Sequence, residues 1–393
     1  MKKYAAQSLL LMILLVAFPQ ISETIYTPSL PNISAALNVS NNAVQLTLSI
    51  YFIGFAFGVF CWGWLSDFIG RRPAMLGGLV VYGIGSLMCF YSESISLLLV
   101  SRFAQAFGAA TGSIITQTIL RESVSGNRRH AMFAQISAVI AFTPALGPLI
   151  GGWVDQAFGF RAVFFTLVMM SVLLFAYAFA KLPETTDVSA RKKVAILPVV
   201  QKMLMFPRVL VFGVLIGGIN GVLFSYYAEA PFIFIERFHL SPGVYGFLGI
   251  VVALASIVGA MVSKKLLAVH TPEKIIHVGC LVMTAGALLL TVASSLDTLP
   301  DAMVVICILF TLFVMLMGAG MALPNCLSLA LADFHDVAGT AGAIFSLGYY
   351  LLVSLTTWGM SVLHNGSLLT MPIYFLVLSC GMWLLGKKFI TKE

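Results

Sequence analysis

Two ionisable side chains lie inside long apolar stretches of the sequence, Glu23 in the first stretch and Arg102 in the fourth. A charge at the centre of a bilayer costs about 3 kcal/mol on insertion scales, so such residues are candidates for function. A carboxyl group in a dry cavity can take up a proton near neutral pH, and a nearby arginine favours its release. We therefore predict that Glu23 carries a proton and that Arg102, at a similar depth, pairs with it. The alternatives are an interfacial position for Glu23 and a fixed packing role for Arg102. Glu229, at the end of the seventh stretch, is the reserve candidate, although a position near the interface favours a structural role for it.

A second group of charges follows the second apolar stretch, where residues 63–72 read GWLSDFIGRR. An aspartate there can face a helix N-terminus, whose free amides and dipole favour an anion, or the adjacent arginines. We predict that Asp67, Arg71 and Glu122 form a cytoplasmic lock that holds one conformation and breaks in the other, with Asp67 meeting the start of the eleventh stretch at 336–338. The alternative is that these charges only fix the topology. The complete gating motif comprises Gly63, Asp67, Gly70, Arg71, Arg72 and Glu122.

Polar side chains in the middle of apolar stretches are candidates for binding a substrate between apolar walls. For each of them, simple helix packing is the alternative. The 30 Phe and 12 Tyr residues do not by themselves identify a drug pocket, because most aromatic rings of a membrane protein face lipid or other helices. An apolar aromatic cavity with one acid suits amphipathic or cationic organic compounds, and it suits a neutral metabolite almost as well. The candidate cavity residues are Tyr26, Tyr51, Gln105, Gln117, Gln135, Asn220 and Tyr226.

The composition requires these residues to be carried by membrane-spanning helices. The 393 residues are 60% hydrophobic and 9% charged, with a mean hydropathy of +1.00, whereas roughly a quarter of the residues of a soluble protein are charged. The length leaves room for about twelve crossings and for no sizeable soluble domain. The basic residues form no stripe or patch, which excludes nucleic-acid binding. The six cysteines stand singly in apolar runs, which excludes a disulfide scaffold.

The apolar stretches predict an all-α polytopic membrane protein with twelve transmembrane helices in two six-helix pseudo-repeats around a central cavity. GAA at 108–110 in the fourth stretch is echoed by GAG at 318–320 in the tenth, and repeated halves of this kind are typical of alternating-access transporters. We expect an N-terminal bundle over 1–182, a cytoplasmic linker over 183–207 and a C-terminal bundle over 208–393. The predicted spans are 5–28, 43–63, 74–93, 97–121, 130–152, 160–181, 208–231, 242–264, 275–295, 301–324, 337–361 and 368–387.

The distribution of basic residues predicts the orientation. If the N-terminus is cytoplasmic, almost all of the 22 Lys and Arg residues lie on the cytoplasmic side, and only Arg161 and Arg237 lie outside. Such an excess follows the positive-inside rule, and adding or removing one span would invert part of it. Both termini are therefore predicted to be cytoplasmic, and the first apolar stretch is predicted to be an uncleaved helix.

The fifth stretch ends in the run GPLIGG at 147–152. Pro148 removes a backbone donor within a helix, and the small residues Gly147, Gly151 and Gly152 allow close contact with a neighbouring helix. We interpret the run as a hinge or seal that binds nothing by itself.

Several motifs of the chain resemble those of one transporter family. Residues 63–72 resemble the GxLxDxxGRR loop signature of the major facilitator superfamily, and RFAQAFGAA at 102–110 is similar to its RxxQGxGAA motif. The run at 147–152 resembles the antiporter motif of drug–proton exporters. Together with matches along the whole chain, these motifs resemble the twelve-helix drug:proton antiporter branch, in its bicyclomycin- and chloramphenicol-resistance and EmrD-like group. The resemblance implies export by antiport.

We expect a proton-coupled secondary transporter that exports amphipathic or cationic drug-like molecules and confers antibiotic resistance. It would use the proton gradient and no cofactor or metal, act as a monomer, and lie in a bacterial inner membrane. The alternative on the same fold is a transporter of one metabolite, siderophore or nutrient. An enzyme is disfavoured because the sequence contains no HExxH pair and no GxSxG elbow, and ATP drive because it contains no GxxxxGK[ST]. No filter-like segment or acidic ring indicates a channel.

Overall fold

A computed structural model describes the backbone of residues 2–123, 126–185, 196–296, 299–334 and 338–389. Within these residues the chain contains twelve helices of at least twenty residues, and eleven of the spans they form are long and apolar enough to cross a membrane. The remaining long helix is α6, where the side chains of 126–138 lie outside the described part of the chain. The long helices are α1 (Lys2–Thr24), α3 (Asn41–Ile69), α4 (Arg71–Phe90), α5 (Ile95–Ser123), α6 (Gly126–Phe158), α7 (Phe160–Lys181), α9 (Pro207–Pro231), α10 (Pro242–Leu266), α11 (Pro272–Ser294), α12 (Asp301–Leu329), α13 (Ala338–Leu363) and α14 (Thr370–Phe389).

These helices match the twelve predicted spans one by one, so the predicted all-α membrane fold is confirmed. Three of the helix starts have local causes in the sequence. The hydroxyls of Ser40, Ser241 and Thr271 accept hydrogen bonds from the first turns of α3, α10 and α11, which is the usual way to satisfy free amides at a helix N-terminus.

Short elements extend two of the spans and lie in the predicted linker. A 3₁₀ turn (Thr27–Ser29) and α2 (Leu30–Leu37) follow α1, and a π-helical turn (Phe232–Arg237) continues α9. The predicted linker contains the helix α8 (Ile196–Met205), while its residues 186–195 lie outside the described part.

The long helices pack as two groups, which we call the N-terminal group (α1 and α3–α7) and the C-terminal group (α9–α14). Inside the N-terminal group α5 lies against α1, α3 and α4, and inside the C-terminal group α12 lies against α9, α10 and α11. The two groups meet mainly where α3 lies against α13 and where α6 lies against α10.

Glycine permits the closest of these helix contacts. A side chain at Gly54 or Gly58 of α3 would collide with the backbone of Phe103 or Phe107 on α5. Such small-residue contacts are how helices approach closely within a membrane, where no hydrophobic effect drives them together.

The bundle has two ends that differ in charge. We call the end at which Arg71, Arg208 and Lys264 lie the basic end, and the opposite end the Glu229 end. Helix α1 therefore begins at the basic end and runs toward the Glu229 end, which places Glu23 in its last turn.

Candidate functional site

The Glu229 end is closed by hydrogen bonds between α3 and the C-terminal group. The amide of Asn42 donates to the carbonyls of Ser361 (2.7 Å) and His364 (3.0 Å), and the Ser361 hydroxyl donates to the Asn42 carbonyl at 2.7 Å. One turn deeper, Gln45 Nε2 donates to Glu229 Oε2 at 2.7 Å. Asn42 and Gln45 are three residues apart, so they lie on one face of α3. That face is held against both α9 and α13.

A second contact closes the same end between α6 and α10. The amide of Gly243 donates to Gln156 Oε1 at 3.0 Å, and an added side chain at Gly246 would lie 2.6 Å from the Pro148 carbonyl oxygen. Gly152 likewise leaves no room for a side chain beside the Pro242 carbonyl. Part of the GPLIGG run therefore lies in the contact between the two helix groups.

The rest of that run fixes the end of α1. Side chains at Gly147 or Gly151 would collide with Thr24 and Ile25, the two residues that follow Glu23. The interpretation of the run as a site of close helix contact thus agrees with the geometry. The run therefore packs α6 directly against the turn that carries Glu23.

Glu23 and Arg102 are both buried, but they do not form the direct pair that we expected. Glu23 is 6% exposed, and none of the residues described forms a hydrogen bond or an ion pair with it. Arg102 is fully buried, and its guanidinium lies between the rings of Tyr26 (3.9 Å) and Tyr51 (4.3 Å) while Nη1 donates to Gln105. The rings of Tyr26 and Tyr51 lie over the guanidinium of Arg102. The predicted direct pairing of Arg102 with Glu23 is therefore corrected.

Glu23 and Arg102 are nevertheless coupled through space. Each lies within electrostatic range of the other, and Tyr51 lies within range of both. Nε and Nη2 of Arg102 are buried and have no hydrogen-bond partner among the residues described. A buried cation with unpaired donors beside a carboxyl without partners is an arrangement in which gain or loss of one proton changes the local energy strongly.

The gating motif lies at the basic end, and the hydrogen bonds described for its side chains remain within the N-terminal group. Arg71 Nη1 binds Asp67 Oδ1 at 2.5 Å and the Ser66 hydroxyl at 2.7 Å, while the Asp67 side chain stays 62% exposed. Arg72 donates to the Phe179 carbonyl of α7 and lies over the Phe179 ring. The lock's third member, Glu122, and the segment 336–338 that Asp67 was predicted to meet lie outside the side chains described. Gly63 approaches Ala343 of α13 in this region.

The sequence analysis missed the acid that holds this motif in place. Glu184, just after α7, accepts hydrogen bonds from the backbone amides of Arg71 (3.0 Å) and Arg72 (3.1 Å). It therefore satisfies the free amides at the N-terminus of α4 and meets the positive end of its dipole. Gly70 has φ +100°, and a Cβ there would lie 2.5 Å from Glu184 Oε2. An acid shortly after a span, on the predicted side of a Gly-Arg-Arg loop, is the signal that could have found Glu184.

Comparison with known proteins decides the family. Residues 12–386 match the Major Facilitator Superfamily. The chain belongs to this superfamily. An uncharacterised transporter of Rickettsia bellii is 32% identical over 94% of this chain and 93% of the relative, and a chloramphenicol resistance protein of Pseudomonas aeruginosa is 28% identical over 90% and 84%. The latter relative supports the drug:proton antiporter branch. The xylose transporter of Escherichia coli, in a partially occluded inward-open conformation, superposes with a TM-score of 0.78 at 14% identity, covering 100% of this chain and 99% of the other. The protein is thus a transporter of the superfamily and not an enzyme.

Most of the polar residues that we predicted to line the transporter's cavity are used in helix packing. Gln105 is fully buried between α4 and α5, where it accepts from Arg102 and donates to the Ser86 hydroxyl at 2.8 Å. This corrects its placement in the cavity. The Asn220 amide donates to the Ile216 carbonyl of its own helix. Three further candidates are Tyr226, buried beside Tyr227; Gln117, half-buried on α5; and Gln135, whose side chain lies outside the described part.

Aromatic side chains, which the sequence analysis did not select, occupy the contact between the two helix groups at mid-depth. Phe52 of α3 packs against Phe224 of α9 with ring centroids 4.4 Å apart, and Phe55 packs against Tyr350 of α13 at 4.8 Å. Tyr350 lies within electrostatic range of Glu23. An acid and a group of aromatic rings therefore share the centre of this superfamily member, between the closed Glu229 end and the basic end.

Proposed function

We propose that the protein is a proton-coupled antiporter that exports amphipathic or cationic organic molecules by alternating access. The observation that carries the proposal is Glu23: a buried carboxyl group without hydrogen-bond partners among the described residues, within range of Arg102 and of the aromatic cluster formed by Phe52, Phe55, Phe224 and Tyr350. A proton and an organic cation compete for such a carboxylate. That competition is the simplest physical basis of antiport.

The aromatic cluster supports the substrate class. Flat rings at the contact between the two helix groups offer apolar area, and their faces attract a cation by about 0.5–2 kcal/mol each. One of the relatives carries the name of a chloramphenicol resistance protein, which fits a small aromatic cargo for this chain as well.

The charge distribution supports the membrane and the orientation. We place the protein in a bacterial inner membrane with the basic end and both termini in the cytoplasm, because the positive-inside rule favours Lys and Arg on that side. The Glu229 end then faces the periplasm. In this orientation the closed Glu229 end, together with ion pairs at the basic end that stay within one helix group, supports a transporter that receives its cargo from the cytoplasm. We expect it to act as a monomer with no cofactor.

The test is transport by purified protein in liposomes with an imposed pH gradient. The wild-type protein should accumulate lipophilic cations against their gradient when the pH gradient is present. Glu23→Gln should lower proton-driven accumulation at least about tenfold, which corresponds to about 1.4 kcal/mol. It should keep downhill movement of the same compound, because the aromatic cluster is intact. Glu93→Gln, which removes an exposed acid near the start of α5, is the matched control and should transport at the wild-type rate.

Two outcomes would overturn the proposal. If Glu23→Gln keeps full proton-driven transport, the coupling residue is not Glu23. If cations and drugs are not moved at all, while one metabolite in the same screen is, the protein is a transporter of that metabolite.

A further inference from the structure

The short helix α8 lies at the basic end of the bundle, directly before the first helix of the C-terminal group. Only Phe206 separates its last residue from α9, and α8 packs against α9 and α13. Two contacts fix it to Phe334, which follows α12. Lys202 Nζ lies 5.0 Å from the centroid of the Phe334 ring, and the ring centroids of Phe206 and Phe334 are 5.9 Å apart. The helix α8 is therefore attached to the C-terminal group.

Apolar side chains form a stripe along one side of α8. Their spacings of three, four and seven residues place them within about half of the circumference of the helix. One part of the stripe is covered by the bundle, since Val199 and Met203 are only 6% and 5% exposed. The other part is not covered, since Leu197 and Leu204 are 67% and 62% exposed. The stripe is thus wider than the protein surface against which it packs, and we call its uncovered part the free flank.

The opposite side of α8 is exposed and carries its basic residue. Lys202 lies about 140° around the helix axis from Leu197. Gln201 lies at the border of the stripe, and Pro198 and the terminal Met205 complete the exposed side. An apolar stripe on one side and a basic residue on the other are typical of a helix that lies in the plane of a membrane surface.

The free flank continues a surface of α9 that faces lipid. Leu210 and Val214 are 44% and 41% exposed and, being four residues apart, lie on one face of α9. Because α9 belongs to a span that is long and apolar enough to cross a membrane, an exposed apolar row on it faces acyl chains. Leu204 precedes Leu210 by only six residues. The acyl chains around α9 are therefore the nearest apolar surroundings for the free flank.

Charge and size also favour lipid as the partner of the free flank. Lys202 is exposed, and Arg208 in the first turn of α9 keeps a 42% exposed side chain beside Glu273. Lys and Arg at such a boundary attract the anionic headgroups of the cytoplasmic leaflet. A protein partner fits less well, because α8 is only about 15 Å long. Each partner of a small stable protein interface contributes about 600–800 Å², which is more than one flank of so short a helix supplies.

We propose that α8 is an interfacial helix that inserts Leu197 and Leu204 among the acyl chains of the leaflet at the basic end and keeps Lys202 at the level of the headgroups. In the proposed orientation this is the cytoplasmic leaflet. The inference goes beyond the transport function, since it uses neither Glu23 nor the cargo. Through its contacts with Phe334 and α9, the inserted helix ties the C-terminal group to the membrane surface.

The first experiment measures which reagents reach α8 in a bilayer. Single spin labels replace Leu197, Leu204 or Lys202 in protein without its six native cysteines, reconstituted in nanodiscs of phosphatidylethanolamine and phosphatidylglycerol. Collisions with oxygen, which dissolves in lipid, are compared with those of a nickel chelate, which stays in water. A label at Val214 serves as the lipid reference, and one at the exposed His270 serves as the water reference.

The ratio of oxygen to nickel collisions should shift toward the Val214 value at positions 197 and 204 and should resemble the His270 value at position 202. Nickel access at all three positions would place α8 in water and overturn the proposal. Loss of access to both reagents at 197 and 204 would show that protein covers the free flank, which would overturn it as well.

A second experiment identifies what touches the free flank. A photoreactive benzophenone side chain in place of Leu204 should cross-link to a phospholipid in the same nanodiscs, detected as an added lipid mass, and the same group in place of Lys202 is the matched control and should add much less. Cross-links from position 204 to residues 186–195 or to a second copy of the chain, without lipid, would overturn the proposal. Because neither experiment uses cargo or a pH gradient, failure of transport in liposomes would leave both results intact.

Discussion

The two ends of the bundle differ in how their polar side chains are paired. At the Glu229 end, the hydrogen bonds of Asn42, Gln45 and Ser361 join the N-terminal group to the C-terminal group. At the basic end, the described ion pairs stay within one group: Asp67 with Arg71, and Arg208 with Glu273. Hydrogen bonds between groups resist opening, whereas those within one group move with it. The Glu229 end is therefore the closed gate of this conformation.

This comparison also explains why two glycine-rich motifs have different consequences. The loop with Gly70 supports contacts inside the N-terminal group, where Glu184 meets the start of α4. The run GPLIGG at 147–152 supports contacts both with α1 and with α10 across the gate. We expect changes at the first motif to affect stability most and changes at the second to affect the balance between conformations most.

Among single substitutions, Gly246→Val should open the closed Glu229 end most. A Cβ at this position would lie 2.6 Å from the Pro148 carbonyl oxygen, so the added atoms force α10 away from α6. Spin labels on the exposed residues Ala36 and Ser367, which lie on opposite sides of the gate, report the opening of the Glu229 end in protein without its six native cysteines. We expect the distance between the two labels to shift almost completely to the longer value of the open conformation. Transport should fall by at least about tenfold, or about 1.4 kcal/mol. Gly381→Val is the control, because nothing lies within 4 Å of a Cβ at Gly381. A Gly246→Val protein that stays closed would contradict the role of the α6–α10 contact in the gate.

A smaller effect, and of a different kind, is expected from Glu184→Gln at the basic end. The amides of Arg71 and Arg72 donate to different oxygens of Glu184, so the variant keeps an acceptor for only one of them and also loses the negative charge at the start of α4. We expect the free energy of unfolding to fall by about 1 kcal/mol, the usual size of a capping interaction, as measured by thermal unfolding in detergent. The spin-label distances at the Glu229 end should not change. If those distances shift while stability does not, Glu184 belongs to the gate and the contrast between the two ends is wrong.

Length and hydropathy were enough to predict the membrane helices. Each span needs about 20 apolar residues whatever its neighbours are, and so α7 and α13, for example, were found within a residue or two of their observed bounds. The burial of Glu23 and Arg102 could be predicted for the same reason, since both fall inside apolar stretches.

The partners of these residues could not be predicted, because they depend on how each helix is rotated about its axis. Arg102 faces Tyr26 and Tyr51 instead of Glu23, and Gln105 faces Ser86 instead of a cavity. The contact of Gln45 with Glu229 joins residues 184 positions apart, and nothing in the local sequence of either residue indicates it. A single sequence shows which side chains are buried but not which of them meet.

The most direct test of proton coupling by Glu23 is the release of protons when substrate binds. Purified protein in a weakly buffered solution is mixed with a transported cation, and the change in pH is recorded with an indicator dye. Because the cation and the proton compete for the same carboxyl group, the wild-type protein should release protons on binding and Glu23→Gln should bind the cation without releasing any. Equal proton release by both proteins would show that another group carries the proton.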